Sequence, residues 1–169
     1  IVSMENKSKI PATVRVLTLN CAPTLRRCLE SLKEFGEILI FDGNSTDDTL
    51  KIAREYGARI EKQYPDRDEP NIILRHWAEV VNRATYAAAY DWVLYIDSDE
   101  TASPGLVQEI REIVARPTIE LYVYKVPNRI IYEGREILYS TPYPGYQMRF
   151  INKKSGAVYK SDNHYYLSY

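Results

Sequence analysis

The sequence predicts an α/β domain in which helices flank a mostly parallel sheet, and three observations lead to this fold class. Over about residues 12–105, short runs of β-branched and apolar residues alternate with stretches of helical periodicity, as in βαβ units. The predicted strands of this part end in polar residues, and ligands bind at the carboxyl ends of parallel strands. After residue 120 the chain becomes tyrosine-rich, because ten of its 15 tyrosines lie there, and this predicts a β-rich segment.

The first strand is predicted over residues 12–19, and a helix follows it. Pro23 suits the first helical turn, and Gly36 is expected to end the helix. Four apolar residues recur at helical spacing, so Cys28 is predicted to lie in the core rather than to carry chemistry. These residues are Leu25, Cys28, Leu29 and Leu32.

The remaining elements follow from the same periodicities. His76 and Trp77 are interpreted as ordinary residues of a long helix, and Ser103 with Pro104 is predicted to begin the helix after the fourth strand. The predicted strands are 37–41, 58–61, 92–96, 119–126, 146–151 and 157–160, with a hairpin whose strands 129–132 and 137–139 flank residues 133–136. Residues 42–48 are predicted to form a loop, a helix is predicted from there to Tyr56, and the further predicted helices are 72–90 and 103–115.

Composition narrows the classes of function. The chain has 169 residues, 45% of them hydrophobic, with a net charge of −1, and this length is expected to form a single core. There is no basic stripe, so nucleic acid is not expected as a partner. The apolar runs fall far short of the roughly 20 residues that span a bilayer. Cys21 and Cys28 lack the spacing of a zinc site and are expected to be reduced in a cytoplasmic protein.

Two carboxylates directly follow the fourth predicted strand. Asp97 and Asp99 are one residue apart, and alternate side chains of an extended chain share a face, so the pair suits one divalent cation. Mg²⁺ and Mn²⁺ prefer such oxygen ligands and leave positions free for phosphate oxygens. A solvated acidic turn before the helix at Ser103 is the alternative, and the residues leave both interpretations open.

Polar residues also end the first two strands. Asp42 leaves a buried strand at the predicted ligand edge, where a carboxylate accepts hydrogen bonds from a base or ribose, so a binding role is favoured. For residues 45–48 a helix-capping role is favoured. Thr18 and Asn20 end the first strand at the same edge and are further candidates.

Three segments carry a family resemblance, and they are VRVLTLN, ILIFDGNSTDDT and DWVLYIDSDE. They resemble the signature segments of glycosyltransferase family 2, the inverting nucleotide-sugar transferases with a GT-A fold, in the family's order and on the expected elements. The resemblance covers about residues 12–105. It continues less closely into PGYQMRFINKKSGAVYKSDNHYY, which is similar to the tail of lipopolysaccharide-core transferases.

The family's A-R-N-x-G segment places an Asn about fifteen residues before the first Asp of D-x-D, and Asn82 stands at that position. Val81 and Ala84 occupy the positions of the family's Arg and Gly. The usual cationic contact is therefore missing here, or Arg75 or Arg83 supplies it.

The resemblance implies roles for the residues at the strand ends. Thr18, Asn20 and Asn82 would line the nucleotide pocket, and Asp42 would hold the base. Asp97 would contact the ribose or diphosphate and share the metal with Asp99.

It also implies roles in the second part of the chain. His164 matches the His of the family's V-H-E and would be a further metal or diphosphate ligand, whereas Tyr165 replaces its Glu. Gln147 and Arg149 would contact the diphosphate or the acceptor, and the alternative for Arg149 is a rim arginine that pairs with an acid. An inverting reaction needs a carboxylate to take the acceptor proton. The candidates are Asp162, which is favoured, Glu100, Glu133 and Glu136.

The resulting prediction is a glycosyltransferase that depends on Mn²⁺ or Mg²⁺ and moves a sugar from a nucleotide-diphosphate donor, UDP-sugar favoured, to a glycan or lipid-linked acceptor. Tyr143 and Tyr146 are candidates for a sugar-stacking wall. One GT-A domain is expected, with a nucleotide-sugar half at about 12–105 and an acceptor-side half at about 106–169. It is placed in the cytoplasm, at the inner face of the membrane, with peripheral membrane contact. Oligomeric state and a further region after Tyr169 are left open.

The sequence bears on three other classes of protein. An inactive nucleotide-sugar-binding module stays open, because the family Arg and the V-H-E Glu are absent and the chain is short. A nucleotidyltransferase would need a glycine-rich phosphate loop after the first strand, and LNCAPTLRRCLE lacks glycine. A phosphatase of the D-x-D-G-T type is disfavoured, because Asp42 is followed by Gly43 and Asn44.

Overall fold

The computed structural model describes residues 8–138, 145–160 and 166–168. The strands in chain order are β1 (Ile10–Thr18), β2 (Phe35–Asp42), β3 (Arg59–Lys62), β4 (Trp92–Tyr95), β5 (Val123–Asn128), β6 (Ile131–Tyr132), β7 (Arg135–Glu136), β8 (Gly145–Asn152), β9 (Val158–Lys160) and β10 (Tyr166–Ser168). The helices are α1 (Ala22–Glu30), α2 (Thr49–Glu55), α3 (Trp77–Ala87) and α4 (Pro104–Val114), and a 3-10 turn covers Lys153–Ser155.

A six-stranded sheet in the order β3-β2-β1-β4-β8-β5 forms the centre of the molecule. Strands β1 to β4 pair in parallel with one another, whereas β8 runs antiparallel to β4 and β5 antiparallel to β8. Strands β6 with β7 and β9 with β10 form two small antiparallel sheets. The predicted α/β class with a GT-A-like, mostly parallel sheet and a strand-rich second part is confirmed.

The two faces of the sheet carry different layers. Helices α1, α2 and α4 pack on one face, where Leu25, Ile52 and Ile110 join a large apolar cluster. Helix α3 and strand β9 cover the other face, where Val80 and Tyr159 lie in two smaller clusters. Strand β1 is buried on both faces, as expected for a central parallel strand. Cys28 is fully buried in the larger cluster, which confirms its predicted place in the core.

The sheet also bears on the predicted division into two halves. Strand β8 from the second half pairs directly with β4 from the first. Both halves therefore contribute to one sheet, and the boundary near residues 105 and 106 stays a prediction about function.

Two predicted helices have different ends in the structure. Helix α1 stops at Glu30 rather than near Gly36, which lies within β2. A Cβ at Gly36 would come within 2.7 Å of the Tyr90 side chain, so this glycine serves close packing instead of helix termination. Helix α3 begins at Trp77 rather than at residue 72, because His76 adopts a left-handed conformation at φ 55°. The backbone N–H of Ile72 is held by the Gly43 carbonyl at 2.7 Å, outside any helix.

The second half follows the predicted order of elements with shifted ends. The hairpin exists, but its turn is Glu133 and Gly134, and both have positive φ, as in a type I′ turn. Residues 135 and 136 are therefore strand, where a turn was predicted. Strand β5 begins at Val123 instead of residue 119, and as an edge strand it accommodates Pro127. Among the residues that the structure describes, none of the helices has the length and apolar character needed to cross a bilayer.

Candidate functional site

The first candidate site is a polar cluster at the carboxyl ends of β1 and β2, here called the β1–β2 cluster (Thr18, Asn20, Asp42, Ser45 and Gln63). Asp42 is buried at its centre. One carboxylate oxygen accepts hydrogen bonds from the hydroxyls of Thr18 at 2.7 Å and Ser45 at 2.6 Å, and the other accepts the Ser45 backbone N–H at 2.7 Å. Two carboxylate oxygens offer about four acceptor sites, so one remains for a ligand.

The loop behind this cluster is tied down by buried polar contacts. The Gln63 side-chain amide donates to the carbonyls of Thr18 at 3.1 Å and Phe41 at 3.0 Å. A Cβ at Gly43 would lie 2.6 Å from the Ile72 carbonyl oxygen, so only glycine permits this approach of two backbone segments. The ends of β1 and β2 are therefore held at fixed positions.

Asn20 organises the loop that follows β1. It adopts a left-handed conformation at φ 47°, and its side-chain carbonyl accepts the Thr46 N–H at 2.9 Å. Its side-chain NH₂ donates to the Asn71 side chain at 2.8 Å, and its backbone N–H donates to the Ser45 hydroxyl at 2.9 Å. Both ends of the Asn20 amide are thus used within the protein, and direct nucleotide contact by this residue stays a prediction.

The predicted capping role of residues 45–48 is carried by Asp47. Its carboxylate accepts the N–H of Ala22, the first residue of α1, at 3.1 Å and the N–H of Thr49, the first residue of α2, at 2.9 Å. These bonds lower the pKa of Asp47 although desolvation opposes them. Ser45, by contrast, belongs to the Asp42 network.

The second candidate site is a charged cluster at the ends of β4 and β8, here called the β4–β8 cluster (Tyr95, Asp97, Glu100 and Arg149). Arg149 has a side chain only 3% exposed and joins the two carboxylates. Its guanidinium donates to Glu100 at 2.6 and 3.1 Å and to Asp97 at 3.2 Å. The Tyr95 hydroxyl donates to the other oxygen of Asp97. Arg149 thus pairs with acids, as the alternative interpretation expected, but it is buried rather than at the rim.

Glu100 has protein partners on both of its carboxylate oxygens. Besides Arg149, it accepts the Asp97 backbone N–H at 3.0 Å and the Asn128 side-chain NH₂ at 3.2 Å. Burial raises the pKa of Glu100, while the Asp97 N–H and Arg149 act in the opposite direction. The residue therefore holds the cluster together in this structure.

A row of three side chains crosses the sheet beneath this cluster. Arg15 on β1 is the direct register partner of Tyr95 on β4, and β8 brings Arg149 to the other side of β4. The Arg15 guanidinium carbon lies 4.4 Å from the centre of the Tyr95 ring, and that of Arg149 lies 4.8 Å from it. Burial raises the pKa of Tyr95, and the neighbouring Asp97 raises it further.

Arg15 is 1% exposed, and its two terminal nitrogens have no hydrogen-bond partner within the described part of the chain. It lies near the ring of Tyr159, 5.6 Å from its centre, but the Tyr159 hydroxyl donates to the Met148 carbonyl at 2.7 Å. Burial lowers the pKa of Arg15, although a guanidinium stays charged in proteins.

A cavity of about 510 Å³, here called the aromatic pocket, opens beside the β4–β8 cluster. Trp77 packs edge-on against Tyr159 at 5.2 Å and Tyr95 at 6.2 Å between ring centres. The predicted sugar-stacking residue Tyr146 lines the same cavity and is exposed. The remaining lining residues are Asp97, Lys125, Gln147, Met148 and Arg149.

The two residues of the predicted metal-binding pair have different surroundings. Asp97 is 41% exposed and bound to Arg149, whereas Asp99 is exposed at the tip of the loop. The Asp99 backbone carbonyl accepts a hydrogen bond from Arg27 of α1 at 2.8 Å, which fixes the loop. Residues 8–138, 145–160 and 166–168 contain no group of three His, Cys, Asp or Glu side chains placed to hold a metal ion.

The Asn82 side chain supports strand β9 in this structure. It donates to the Tyr159 carbonyl at 2.9 Å and accepts the Tyr159 N–H at 2.8 Å. Val81 is buried, and Arg83 donates to the carbonyls of Lys62 and Gln63 near the other edge of the sheet. The predicted nucleotide contact by Asn82 stays a prediction.

Some predicted residues lie outside the described residues, namely Asp162, His164, Tyr143 and Tyr165. Among the described ones, Gln147 accepts a hydrogen bond from Arg149 at 2.9 Å, and Glu133 and Glu136 lie on the exposed β6–β7 hairpin. Asp162 and His164 therefore stay predictions as proton acceptor and metal ligand.

Sequence reasoning missed three residues that line the pocket and one that lies behind them. Trp77 was predicted as an ordinary helix residue; it does begin α3, and it also lines the cavity, which the sequence did not indicate. Tyr95, Arg15 and Tyr159 were not singled out. The signal for Arg15 was its charge at an inward position of the apolar run VRVLT, because a charge buried in a strand requires a partner.

This arrangement defines a class of protein. The mostly parallel sheet carries a polar cluster at β1–β2 and an acidic loop after β4, both at its carboxyl edge. GT-A-type nucleotide-sugar-binding domains have this arrangement. The family model described as "Glycosyl transferase family 2" matches residues 13–166. The chain belongs to glycosyltransferase family 2.

Curated relatives agree with this assignment. The chain is 32% identical over 124 residues to an uncharacterised glycosyltransferase of Rickettsia typhi, and 70% of this chain and 38% of that protein are covered. It is 28% identical to the lipopolysaccharide core biosynthesis glycosyltransferase LpsC of Rhizobium meliloti, covering 63% and 38%. The chain thus spans well under half of the length of these relatives. A structure of glucosyl-3-phosphoglycerate synthase from Mycobacterium tuberculosis with Mn²⁺ and UDP aligns at TM-score 0.43 and 25% identity, over 53% of this chain and 35% of that one.

Proposed function

We propose that the protein transfers a sugar from a nucleotide-diphosphate donor, with UDP favoured, to a glycan or lipid-linked acceptor at the cytoplasmic face of a membrane. The observation that carries this proposal is the spacing of two polar clusters along one sheet edge. Asp42 ends β2 and Asp97 follows β4, and only β1 lies between these strands. Two strand spacings are about 10 Å, which suits one elongated ligand lying across the end of β1.

The β1–β2 cluster would hold the nucleobase. Asp42 has one acceptor site left after its bonds to Thr18 and Ser45, and a ring N–H of a base such as uracil is a suitable donor. Because the bonds to Thr18 and Ser45 already fix this carboxylate, little ordering is needed when the base binds. Thr18 and Asn20 then act chiefly by fixing the loop, and direct contact with the nucleotide is proposed for Asp42.

The acidic loop after β4 would hold a divalent cation. Asp99 is exposed and Asp97 is partly exposed, so both present hard oxygen ligands suited to Mn²⁺ or Mg²⁺. When bound, the cation would offset the negative charge that develops on the departing diphosphate. Two carboxylates leave coordination positions for phosphate oxygens and for the predicted ligand His164.

The remaining proposed roles are the positioning of Asp97 and the acceptance of a proton. Arg149 and Tyr95 fix the orientation of Asp97, and Glu100 fixes Arg149. A residue whose two oxygens already have protein partners is poorly placed to accept a proton, so Glu100 is proposed as a positioning residue. The proton of the acceptor hydroxyl is assigned to Asp162, as the sequence predicts.

The proposed acceptor follows from the pocket and the relatives. The lining of the aromatic pocket combines aromatic and polar side chains, which suits a sugar ring. The naming of LpsC for lipopolysaccharide core biosynthesis supports an acceptor of the cell envelope. The exposed apolar side chains of the β6–β7 hairpin, Ile131 and Tyr132, support peripheral membrane contact.

Calorimetric titration of UDP and GDP, with and without Mn²⁺, tests the donor site. We expect Mn²⁺-dependent binding of UDP to the wild type and its loss in Asp99→Ala. Asp48→Ala is the matched control, because Asp48 is an exposed acid whose side chain makes no capping bond. Failure of both nucleotides to bind under any condition would overturn the proposal.

Turnover is a separate measurement. A screen of UDP-sugars with release of UDP as the readout distinguishes a transferase from an inactive module that retains binding. We expect UDP release that depends on the sugar donor. Asp97→Asn should reduce this release by at least the factor by which it reduces UDP affinity, because Asp97 lies where the proposed nucleotide site and the aromatic pocket meet.

A further inference from the structure

Arg15 is a buried charge that contacts the rings of Tyr95 and Tyr159. Its terminal nitrogens lack hydrogen-bond partners in the part of the chain that the structure describes, and its side chain is inside the sheet layer rather than at the surface. An unpartnered buried polar group costs free energy, so such a group in a folded protein calls for a ligand, an ion or a specific role. The aromatic rings of Tyr95 and Tyr159 separate it from the aromatic pocket by a single layer.

The charges around the aromatic pocket do not cancel. Arg149 forms ion pairs with Asp97 and Glu100, and the two negative charges exceed its positive charge by one. Arg15 and Lys125 add two positive charges, and Lys125 lines the pocket from β5. Among these five groups, three cations therefore stand against two carboxylates. One negative charge in the pocket would balance the set.

The residues that line the pocket indicate which class of ligand carries the negative charge. Trp77, Tyr95, Tyr146 and Tyr159 supply aromatic surface, which covers the apolar face of a pyranose ring. Gln147 adds a side-chain amide that can bond to ring hydroxyls. A cavity of about 510 Å³ accommodates a ligand of this size.

We propose that the aromatic pocket binds an acidic sugar, one that carries a carboxylate or a phosphate, and that Arg15 and Lys125 provide the selectivity for its charge. This inference rests on the proposed transferase function, which it deepens by naming the class of sugar. The pocket lies between β4 and β5, on the side of Asp97 away from Asp42, so the acidic sugar belongs to the acceptor. An acidic sugar on the donor is the other source of the same chemistry.

The experiment compares pairs of probes that differ in one charge. Methyl β-glucuronide is titrated against methyl β-glucoside, and glucose 6-phosphate against glucose, by ligand-observed NMR with and without saturating UDP and Mn²⁺. We expect the acidic member of a pair to bind at least about tenfold more tightly, as one charge-assisted hydrogen bond implies.

Three variants assign the selectivity. Lys125→Met removes an exposed charge at the pocket, and Arg15→Met removes the buried one while keeping a long apolar side chain. Lys125→Met is expected to lose most of the preference for the acidic probe, and Arg15→Met a smaller part of it because two rings stand between Arg15 and the pocket, while both retain affinity for the neutral probe. Lys51→Met is the matched control, because Lys51 is an exposed lysine of α2, on the opposite face of the sheet. If Arg15→Met fails to fold, Lys125→Met decides.

The outcomes separate this inference from the proposed function. Equal binding of acidic and neutral probes, or a preference unchanged in the foldable variants, overturns the inference even if UDP binds. Loss of UDP binding to the wild type overturns the proposed function, whereas the probe comparison still decides the nature of the pocket. A charge preference that appears only for UDP-glucuronic acid over UDP-glucose supports the acidic sugar and assigns it to the donor.

Discussion

The two polar clusters at the carboxyl edge of the sheet hold their carboxylates with different kinds of partner. In the β1–β2 cluster a single buried carboxylate, Asp42, is held by two hydroxyls and one backbone N–H. In the β4–β8 cluster two partly exposed carboxylates are held by one buried guanidinium and a tyrosine hydroxyl. Hydrogen bonds from neutral donors suit a fixed recognition surface, whereas ion pairs in a partly buried setting respond strongly to any added charge. The first cluster is therefore suited to constant recognition, and the second to charge that changes during a reaction.

The largest effect is expected from removal of the shared cation. Arg149→Ala leaves Asp97 and Glu100 facing each other without a counter-charge and should lower the free energy of unfolding by about 2–3 kcal/mol, below the usual range for fully buried pairs because both acids retain some solvent contact. Urea unfolding measures this change. Arg26→Ala is the control, since its exposed pair with Glu55 should be worth under about 1 kcal/mol. Equal losses in the two variants would show that the β4–β8 cluster is no more coupled than the surface.

A smaller effect is expected in the β1–β2 cluster. Asp42→Asn replaces one acceptor oxygen by a donor and disrupts the bonds from Thr18 and Ser45, at a cost of about 1–2 kcal/mol in unfolding free energy. It should also weaken UDP binding by about tenfold, the value of one hydrogen bond to a charged group. Calorimetry and urea unfolding measure both quantities, with Asp48→Asn as the control. An unchanged UDP affinity would remove Asp42 from the base site.

A third prediction concerns the Tyr95 hydroxyl, which positions Asp97. Tyr95→Phe retains the ring between Arg15 and Arg149 but removes the donor to Asp97. We expect Mn²⁺-dependent UDP affinity to fall by about three- to tenfold, with stability changed by no more than about 1 kcal/mol. Tyr56→Phe is the control, because the Tyr56 hydroxyl donates to the exposed Glu30. If both variants bind UDP as the wild type does, Tyr95 has no positioning role.

The smallest effect is a dependence on pH. Burial raises the pKa of Glu100 above its unfolded value of roughly 4.3, so the folded state holds this proton to higher pH than the unfolded state does. Its contribution to stability is therefore full below the unfolded pKa and is lost as pH rises through the folded pKa. The stability of the wild type relative to Glu100→Gln should accordingly fall as pH rises above about 4. Urea unfolding at pH 4, 5, 6 and 7 tests this sign, and a relative stability that rises with pH would contradict it.

Much of the fold was predictable from local signals, and the exceptions have tertiary causes. Apolar runs and helical periodicity identified β1 to β4 and the helices between them, and Ser103 caps α4 as predicted, by accepting the Leu106 N–H at 3.2 Å. The late start of α3 was not predictable, because the bond from Ile72 to Gly43 comes from a loop nearly thirty residues away. The place of β8 between β4 and β5 depends on long-range pairing, which the local pattern does not encode.

The site was predictable at its carboxylates and not at its cations. Asp42 and Asp97 follow apolar strands, and this position is visible in the sequence. The contact of Arg149 with Asp97 joins residues 52 positions apart, so only the sheet order brings them together. Trp77 resembles any apolar residue of an amphipathic helix until α3 places it against Tyr159.

The position of β8 also sets an order of events during synthesis. A nascent chain that has emerged only through α4 contains β4 with one side unpaired and an acidic loop whose counter-charge has not yet been made. An open strand edge is a template for pairing with other chains, and contacts distant in sequence form slowly. The arrival of Gly145–Asn152 closes that edge and neutralises the loop in one step, so the nascent domain is most exposed to misassembly while the ribosome translates the tyrosine-rich segment.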